Sequence, residues 1–144
     1  MKLETHLIRK IDKQLKLLEN NTRKTGITIL ESNKNKIKNK NKMNFSPKNN
    51  DKVTVNYKGL LTNGQEFDNS WKKNKPFEFT VGKGEVIKGW DIIIKKMILG
   101  EKVKVLIPFN LGYGLKGIGN IIPPRSDLIF YIKLLKINNI ENKN

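Results

Sequence analysis

The chain has 144 residues, with 29 Lys and Arg against 13 Asp and Glu, no cysteine and one histidine, His6. This is enough for one domain of ordinary size with length to spare. Lack of cysteine excludes disulfide scaffolds, thiolate metal sites and thiol nucleophiles, and one histidine cannot form a histidine-cluster metal site. The net charge of +16 invites a polyanion reading, yet only Arg9, Arg23 and Arg125 are arginine, beside 19 asparagines and no alanine. AT-rich coding drift produces this bias, whereas phosphate-reading surfaces favour arginine.

No apolar run approaches the roughly 18 residues of a membrane span. Residues 1–21 lack the continuous apolar stretch of a secretory signal. A cytoplasmic protein is expected, with the nucleus or an organelle as alternatives. Residues 1–50 hold 13 basic and 4 acidic side chains and a single aromatic, Phe45; the other ten aromatics follow residue 50. A large core can be built only in the second part.

Leu3, Leu7, Ile11, Leu15 and Leu18 recur every three to four residues, the spacing of a one-faced amphipathic helix. Residues 1–26 are therefore read as a basic, helical extension. Ile27, Thr28, Ile29 and Leu30 predict a short strand. Residues 32–44, almost entirely Asn and Lys, predict a flexible loop with nothing to bury, so residues 27–46 form a strand plus loop. From Asp51 the pattern changes. Val53, Val55 and Tyr57 alternate with polar residues, as do Phe77, Phe79 and Val81, then Val103, Val105 and Ile107, then Leu128, Phe130, Ile132 and Leu134. Asn63-Gly64 marks a hairpin turn. Trp90, Ile93, Ile94, Met97 and Ile98 have helical spacing, with Gly100 as the stop. Strands in a row, interrupted once by a helix, indicate an α+β domain over residues 47–138 and a frayed tail over 139–144.

Gly112-Tyr113-Gly114-Leu115-Lys116-Gly117 matches the GxGxxG spacing. A dinucleotide fingerprint must open a helix, and Gly119, Pro123 and Pro124 prevent one here. The motif is read as an irregular loop. Asp68 has no partner base or nucleophile nearby, and Ser70 and Ser126 have no histidine to activate them. The acids show no metal-ligand spacing, so neither a metal nor a cofactor is expected. What remains is a set of aromatics, Tyr57, Phe67, Phe77, Phe79, Trp90, Tyr113 and Phe130, which spacing alone would assign to a core.

Several motifs in order nevertheless resemble the FKBP-type peptidyl-prolyl cis-trans isomerases. They are VTVNYKG at 53–59, GQEFDNS at 64–70, NKPFEF at 74–79 and Val81-Gly82. GEVIKGW follows at 84–90, then Ile107-Pro108, Tyr113-Gly114 and IIPP at 121–124, with Leu128 and Phe130. The likeness covers about residues 47–137, with the strand near Ile27 as its first. It implies a twisted antiparallel half-barrel of five to six strands wrapped around one short helix. It also implies a pocket with Trp90 as floor, Tyr57, Phe67, Phe77 and Phe130 as walls, and Val86 and Ile87 before the helix. By the same resemblance the Ile87 N–H and the Tyr113 hydroxyl would donate to substrate carbonyls. Asp68 would hydrogen-bond within the site, and Ile122 would touch substrate. The sequence departs from the family at Leu111, Ile118 and Lys73, the last where an arginine often pairs with the Asp68 equivalent. Asn50 replaces a turn glycine, a swap that asparagine tolerates.

The resemblance implies acceleration of X–Pro isomerisation in protein folding, a reaction that breaks no covalent bond. Expected partners are proline-containing polypeptides and macrolide inhibitors of the rapamycin class, with the chain as a monomer. A non-catalytic peptide-binding or chaperone module is the alternative. Nucleic-acid association through residues 1–50 is weaker still, because no aromatic-interleaved basic patch is visible along the sequence.

Overall fold

The computed structural model describes residues 26–40 and 43–141; the amphipathic extension predicted over 1–26 falls almost entirely outside them. The elements run β1 (Thr28–Ser32), α1 (Lys34–Lys40), β2 (Lys52–Leu61), β3 (Glu66–Asn69), β4 (Phe77–Thr80), α2 (Lys88–Ile94), β5 (Lys102–Ile107), β6 (Leu128–Ile137) and β7 (Ile140–Glu141), with a 3-10 turn at Phe109–Leu111. One antiparallel sheet takes the order β1-β5-β6-β2-β3, with β4 also paired to β2 and β7 to β6. Seven strands exceed the expected five to six because the chain folds back after Ile137 as a two-residue β7.

Alternation decides which side of each strand is covered. Val53, Val55 and Leu61 of β2, Val103, Val105 and Ile107 of β5, and Leu128, Phe130, Ile132 and Leu134 of β6 all point inward and are buried. The inner face packs on α2 through Trp90, Ile93 and Ile94. Burying each such side chain stabilises the fold by about 1.5–3 kcal/mol. The predicted hairpin is present: Gly64 has φ 93° and its N–H donates to Leu61 O at 2.9 Å, while Leu61 N–H donates to Gln65 O at 2.8 Å. Asn50 adopts φ 78°, the conformation that the family's turn glycine would supply.

Two local expectations need correction. The helix ends at Ile94, not Ile98. Lys96 N–H donates to Ile93 O and Met97 N–H to Ile94 O, three-residue turns that carry Met97 and Ile98 inward without continuing the helix. Residues 34–40 are helical rather than loop. None of them is buried, as expected for so polar a stretch, but the turn is held from outside. Lys34 N–H donates to Ser32 Oγ, Lys34 Nζ reaches Lys96 O at 2.6 Å, and Ile37 N–H donates to Asn33 O. Beneath α1, buried Glu101 accepts from the Ser32 hydroxyl and the Ile98 N–H, with Lys34 Nζ 3.8 Å away. Composition shows the absence of a buried face; it does not show these tethers.

Candidate active site

The inner rungs of the sheet bring the aromatics together. Gly59 lies opposite Phe130 on one side and Asp68 on the other, and Tyr57 lies opposite Ile132. A Cβ at Gly59 would fall 2.5 Å from Phe67 Cζ and 2.9 Å from Phe130 Cε1, so only glycine lets these two rings meet above β2. Their centroids are 5.7 Å apart at 86°. Trp90, on the first turn of α2 and 5% exposed, is the floor. Tyr57 stands edge-on to it at 4.9 Å, Phe130 at 5.3 Å and Phe77 at 6.1 Å. Edge-to-face packing at these distances is the favoured aromatic geometry. The Trp90 Nε1 is buried without a hydrogen-bond partner, the one such side-chain atom among the described residues.

The pocket so enclosed has a volume of about 140 Å³ and is walled by Tyr57, Phe67, Phe77, Phe130, Val86 and Ile87, with Asp68 and Tyr113 at its polar side. An apolar cavity of about 150 Å³ accepts benzene, so this one suits a single small ring. Glu85 also lines it and was missed from sequence, although it adjoins Val86 within GEVIKGW. Ile122 is not brought to the lining. It is 3% exposed and packs in the core, exchanging backbone hydrogen bonds with Ile118 at 2.8 and 3.0 Å. Phe79 is buried beside Phe77 and Trp90, as flanking core.

The polar edge is organised around Asp68. The Tyr57 hydroxyl donates to Asp68 Oδ2, Asn69 N–H donates to Oδ1 at 2.9 Å, and Lys73 Nζ lies 2.8 Å from Oδ1. Lysine therefore makes a single-pronged contact where an arginine could make two. Partial burial opposes the Asp68 charge, but Lys73, the Tyr57 hydroxyl and the Asn69 N–H outweigh it and hold the carboxyl below its ordinary 3.8. Burial, then the bond to Asp68, pushes the Tyr57 phenol above its ordinary 10.0; burial, then the Asp68 charge, raises Tyr113 as well. Near neutral pH Asp68 is thus a carboxylate, and the Tyr57 and Tyr113 hydroxyls keep their protons.

Ser70, which sequence reasoning dismissed as an unactivated hydroxyl, positions this edge. Buried to 1% exposure, it accepts the Tyr57 N–H at 2.7 Å and donates to Asn56 Oδ1 at 2.8 Å. Ile87 precedes α2 with φ −58° and ψ 150°; its carbonyl accepts the Trp90 and Asp91 N–H groups. No group among the described residues accepts the Ile87 N–H or the Tyr113 hydroxyl proton. Gly112 to Gly117 does not open a helix: Gly114 and Gly117 have φ 70° and 66°, and a Cβ at Gly117 would meet Ile122 O at 2.1 Å. The described residues contain no cluster of three or more His, Asp or Glu able to hold a metal ion, and no helix long and apolar enough to cross a membrane.

The family model of the FKBP-type peptidyl-prolyl cis-trans isomerases matches residues 44–135. The chain belongs to that family. It is 48% identical over 92 residues to FK506-binding protein 1 of Saccharomyces cerevisiae, covering 64% of this chain and 81% of that protein. Against peptidyl-prolyl cis-trans isomerase Fkbp12 of Drosophila melanogaster it is 47% identical over 91 residues, 63% of this chain and 84% of the relative. FK506-binding protein 2 of Dictyostelium discoideum is 50% identical over 91 residues, 63% of this chain and 68% of its own length. As an FKBP-type enzyme the protein is a peptidyl-prolyl cis-trans isomerase, and its α+β half-barrel is that of the family.

Proposed function

We propose that the Trp90 pocket binds the prolyl ring of a polypeptide and that turnover occurs there. The observation that carries this reading is a single-ring apolar cavity with two unpaired donors, the Ile87 N–H and the Tyr113 hydroxyl, at its mouth. Each would donate to a substrate carbonyl. Tyr57 and Asp68 would hold the polar edge, with Phe67, Phe77, Val86, Trp90 and Phe130 around the ring. Ile122 would act from behind, as the buried anchor of the loop that follows Tyr113.

Uncatalysed, an X–Pro bond crosses a barrier of about 18–20 kcal/mol in tens to hundreds of seconds. Its twisted transition state has lost amide resonance, so the carbonyl is less polar than in the planar form. A dry aromatic pocket favours that state over the planar one. Shape, hydrogen bonds and exclusion of water suffice, without nucleophile or proton transfer.

The same pocket would take macrolides of the rapamycin class; the name of the yeast relative says that that protein binds FK506. We read the chain as a cytosolic monomer assembled as an extension at 1–26, a strand and helix at 27–46, the isomerase core at 47–138 and a tail at 139–144. Following cis-to-trans conversion of a short X–Pro peptide, with and without rapamycin, tests the reading. Acceleration abolished by one equivalent of drug is expected. Acceleration that rapamycin leaves untouched would place turnover elsewhere, and tight peptide binding without acceleration would make the chain a binding module.

A further inference from the structure

The outer face of the sheet assembles a second group of side chains that no contiguous segment contains. Lys104 of β5 lies opposite Tyr131 of β6, and Tyr131 lies opposite Lys58 of β2. One tyrosine therefore has a lysine on the neighbouring strand to either side. The alternation that buries Phe130 and Ile132 turns Tyr131 outward. Lys58 Nζ is 4.6 Å from the Tyr131 ring centroid, Lys104 Nζ 5.4 Å and Lys102 Nζ 5.9 Å; Lys102 Nζ is also 5.1 Å from the ring of Trp71. Trp71 is 37% exposed.

A groove of about 310 Å³ runs beside them, walled by Ser32, Asn33, Lys102, Lys104 and Tyr131, with Glu31 as its one carboxylate. Glu31 is in register with Lys104 but makes no ion pair with it. On the described surface Lys34 pairs with Glu101, Lys52 with Glu78, Lys72 with Glu66, Lys73 with Asp68 and Lys136 with Glu141, while most other lysines stand apart from any acid; what sets this face apart is that three such lysines meet at one ring. Among the described residues, Lys58, Lys102 and Lys104 have no acidic partner within 4.0 Å. At the edge of the groove, Asn33 Oδ1 accepts the Lys102 N–H at 2.8 Å, and α1 continues from there with exposed Lys36, Lys38 and Lys40.

Three unpaired ammonium groups gathered on one ring repel one another, and an anion relieves that repulsion. An acidic peptide would answer the lysines only. A single-stranded nucleic acid answers both halves of the surface, phosphates for the ammonium groups and flat bases for the exposed Trp71 and half-buried Tyr131 rings. We propose that this outer face binds single-stranded nucleic acid, with Lys58, Lys102 and Lys104 on phosphates and Trp71 and Tyr131 as stacking planes. The proposed phosphate and stacking contacts all come from beyond residue 50, with residues 31–40 only flanking them, and the surface lies across the sheet from the prolyl pocket.

The test titrates the full chain into a fluorescent mixed-sequence RNA of about 16 nucleotides, within the site-size range of single-strand binders, across a range of salt. The Lys102→Gln/Lys104→Gln double variant should bind at least about tenfold more weakly. Its plot of log affinity against log salt should be shallower by about 1.4, since each single-strand phosphate contact contributes about 0.7. Trp71→Ala should weaken RNA binding about tenfold and abolish the quenching of tryptophan fluorescence by RNA. Isomerisation of a short peptide, unchanged in both variants, shows that they fold. Unchanged affinity and slope in the double variant, full affinity in Trp71→Ala, or equal losses for RNA and poly-glutamate would each overturn the proposal, the last in favour of an acidic polypeptide.

Discussion

Tyr57 and Tyr131 sit on neighbouring strands of one sheet and face opposite ways. Tyr57, on the inner face, spends its hydroxyl on Asp68 and its ring on Trp90, Phe77 and Phe130. Tyr131, on the outer face, has no aromatic ring against it among the described residues, only ammonium groups over its own. The same side chain becomes a pocket wall or a platform according to the parity of its position, because a strand sends successive residues to opposite sides. Each face can therefore be changed without the other.

Trp90→Ala attacks the inner face hardest. Removing a buried indole costs about 3–5 kcal/mol of stability, a large share of the roughly 5–15 kcal/mol that a domain has. Denaturant titration should show that loss, and kcat/KM for an X–Pro peptide should fall at least about thirtyfold. Gly59→Ala comes next: its methyl group enters the space of Phe67 and Phe130, overpacking that costs about 1–3 kcal/mol. Activity about tenfold lower is expected, and wild-type activity would show that the rings give way easily. Tyr57→Phe keeps the wall and deletes only the donor to Asp68. A loss near 1 kcal/mol should appear as a roughly fivefold lower kcat/KM.

Acid gives a smaller effect with a definite sign. Asp68 titrates below 3.8 when folded, so its stabilisation is present above that value and disappears as pH falls through the folded pKa. The difference in melting temperature between wild type and Asp68→Asn should be constant from about pH 7 to 5 and shrink below about pH 4. Because Tyr57 and Tyr113 shift the other way, kcat/KM should be flat between about pH 5 and 9. A bell centred in that range would indicate proton transfer. The smallest effect belongs to the outer face: Lys133→Gln should alter stability by no more than about 0.5 kcal/mol and leave peptide isomerisation unchanged.

Strand alternation at Val53–Tyr57 and Leu128–Leu134 could be read directly, because one covered face imposes a period of two. The pocket could not be reached by periodicity. Phe67, Phe77 and Trp90 look like core residues until Gly59 makes room for the rings, and the likeness to a family, rather than spacing, separated wall from core. Ile122 illustrates the reverse difficulty, since its neighbours in sequence do not reveal that it packs behind the lining. Glu85 and Ser70 were passed over because neither has a reactive partner, although one lines the site and the other braces it. The cluster at Lys58, Lys102, Lys104 and Tyr131 is scattered over 74 positions of sequence and exists only once three strands pair.

Helix α1 buries none of its seven residues and is attached to the body through Lys34 and the Ser32 hydroxyl. Its length is thus almost uncoupled from the core. Doubling a connection costs only about 0.6 kcal/mol in closure entropy. That makes this segment a natural cloning junction: a reporter, an affinity handle or a whole foreign domain can be spliced there while the prolyl pocket keeps its shape.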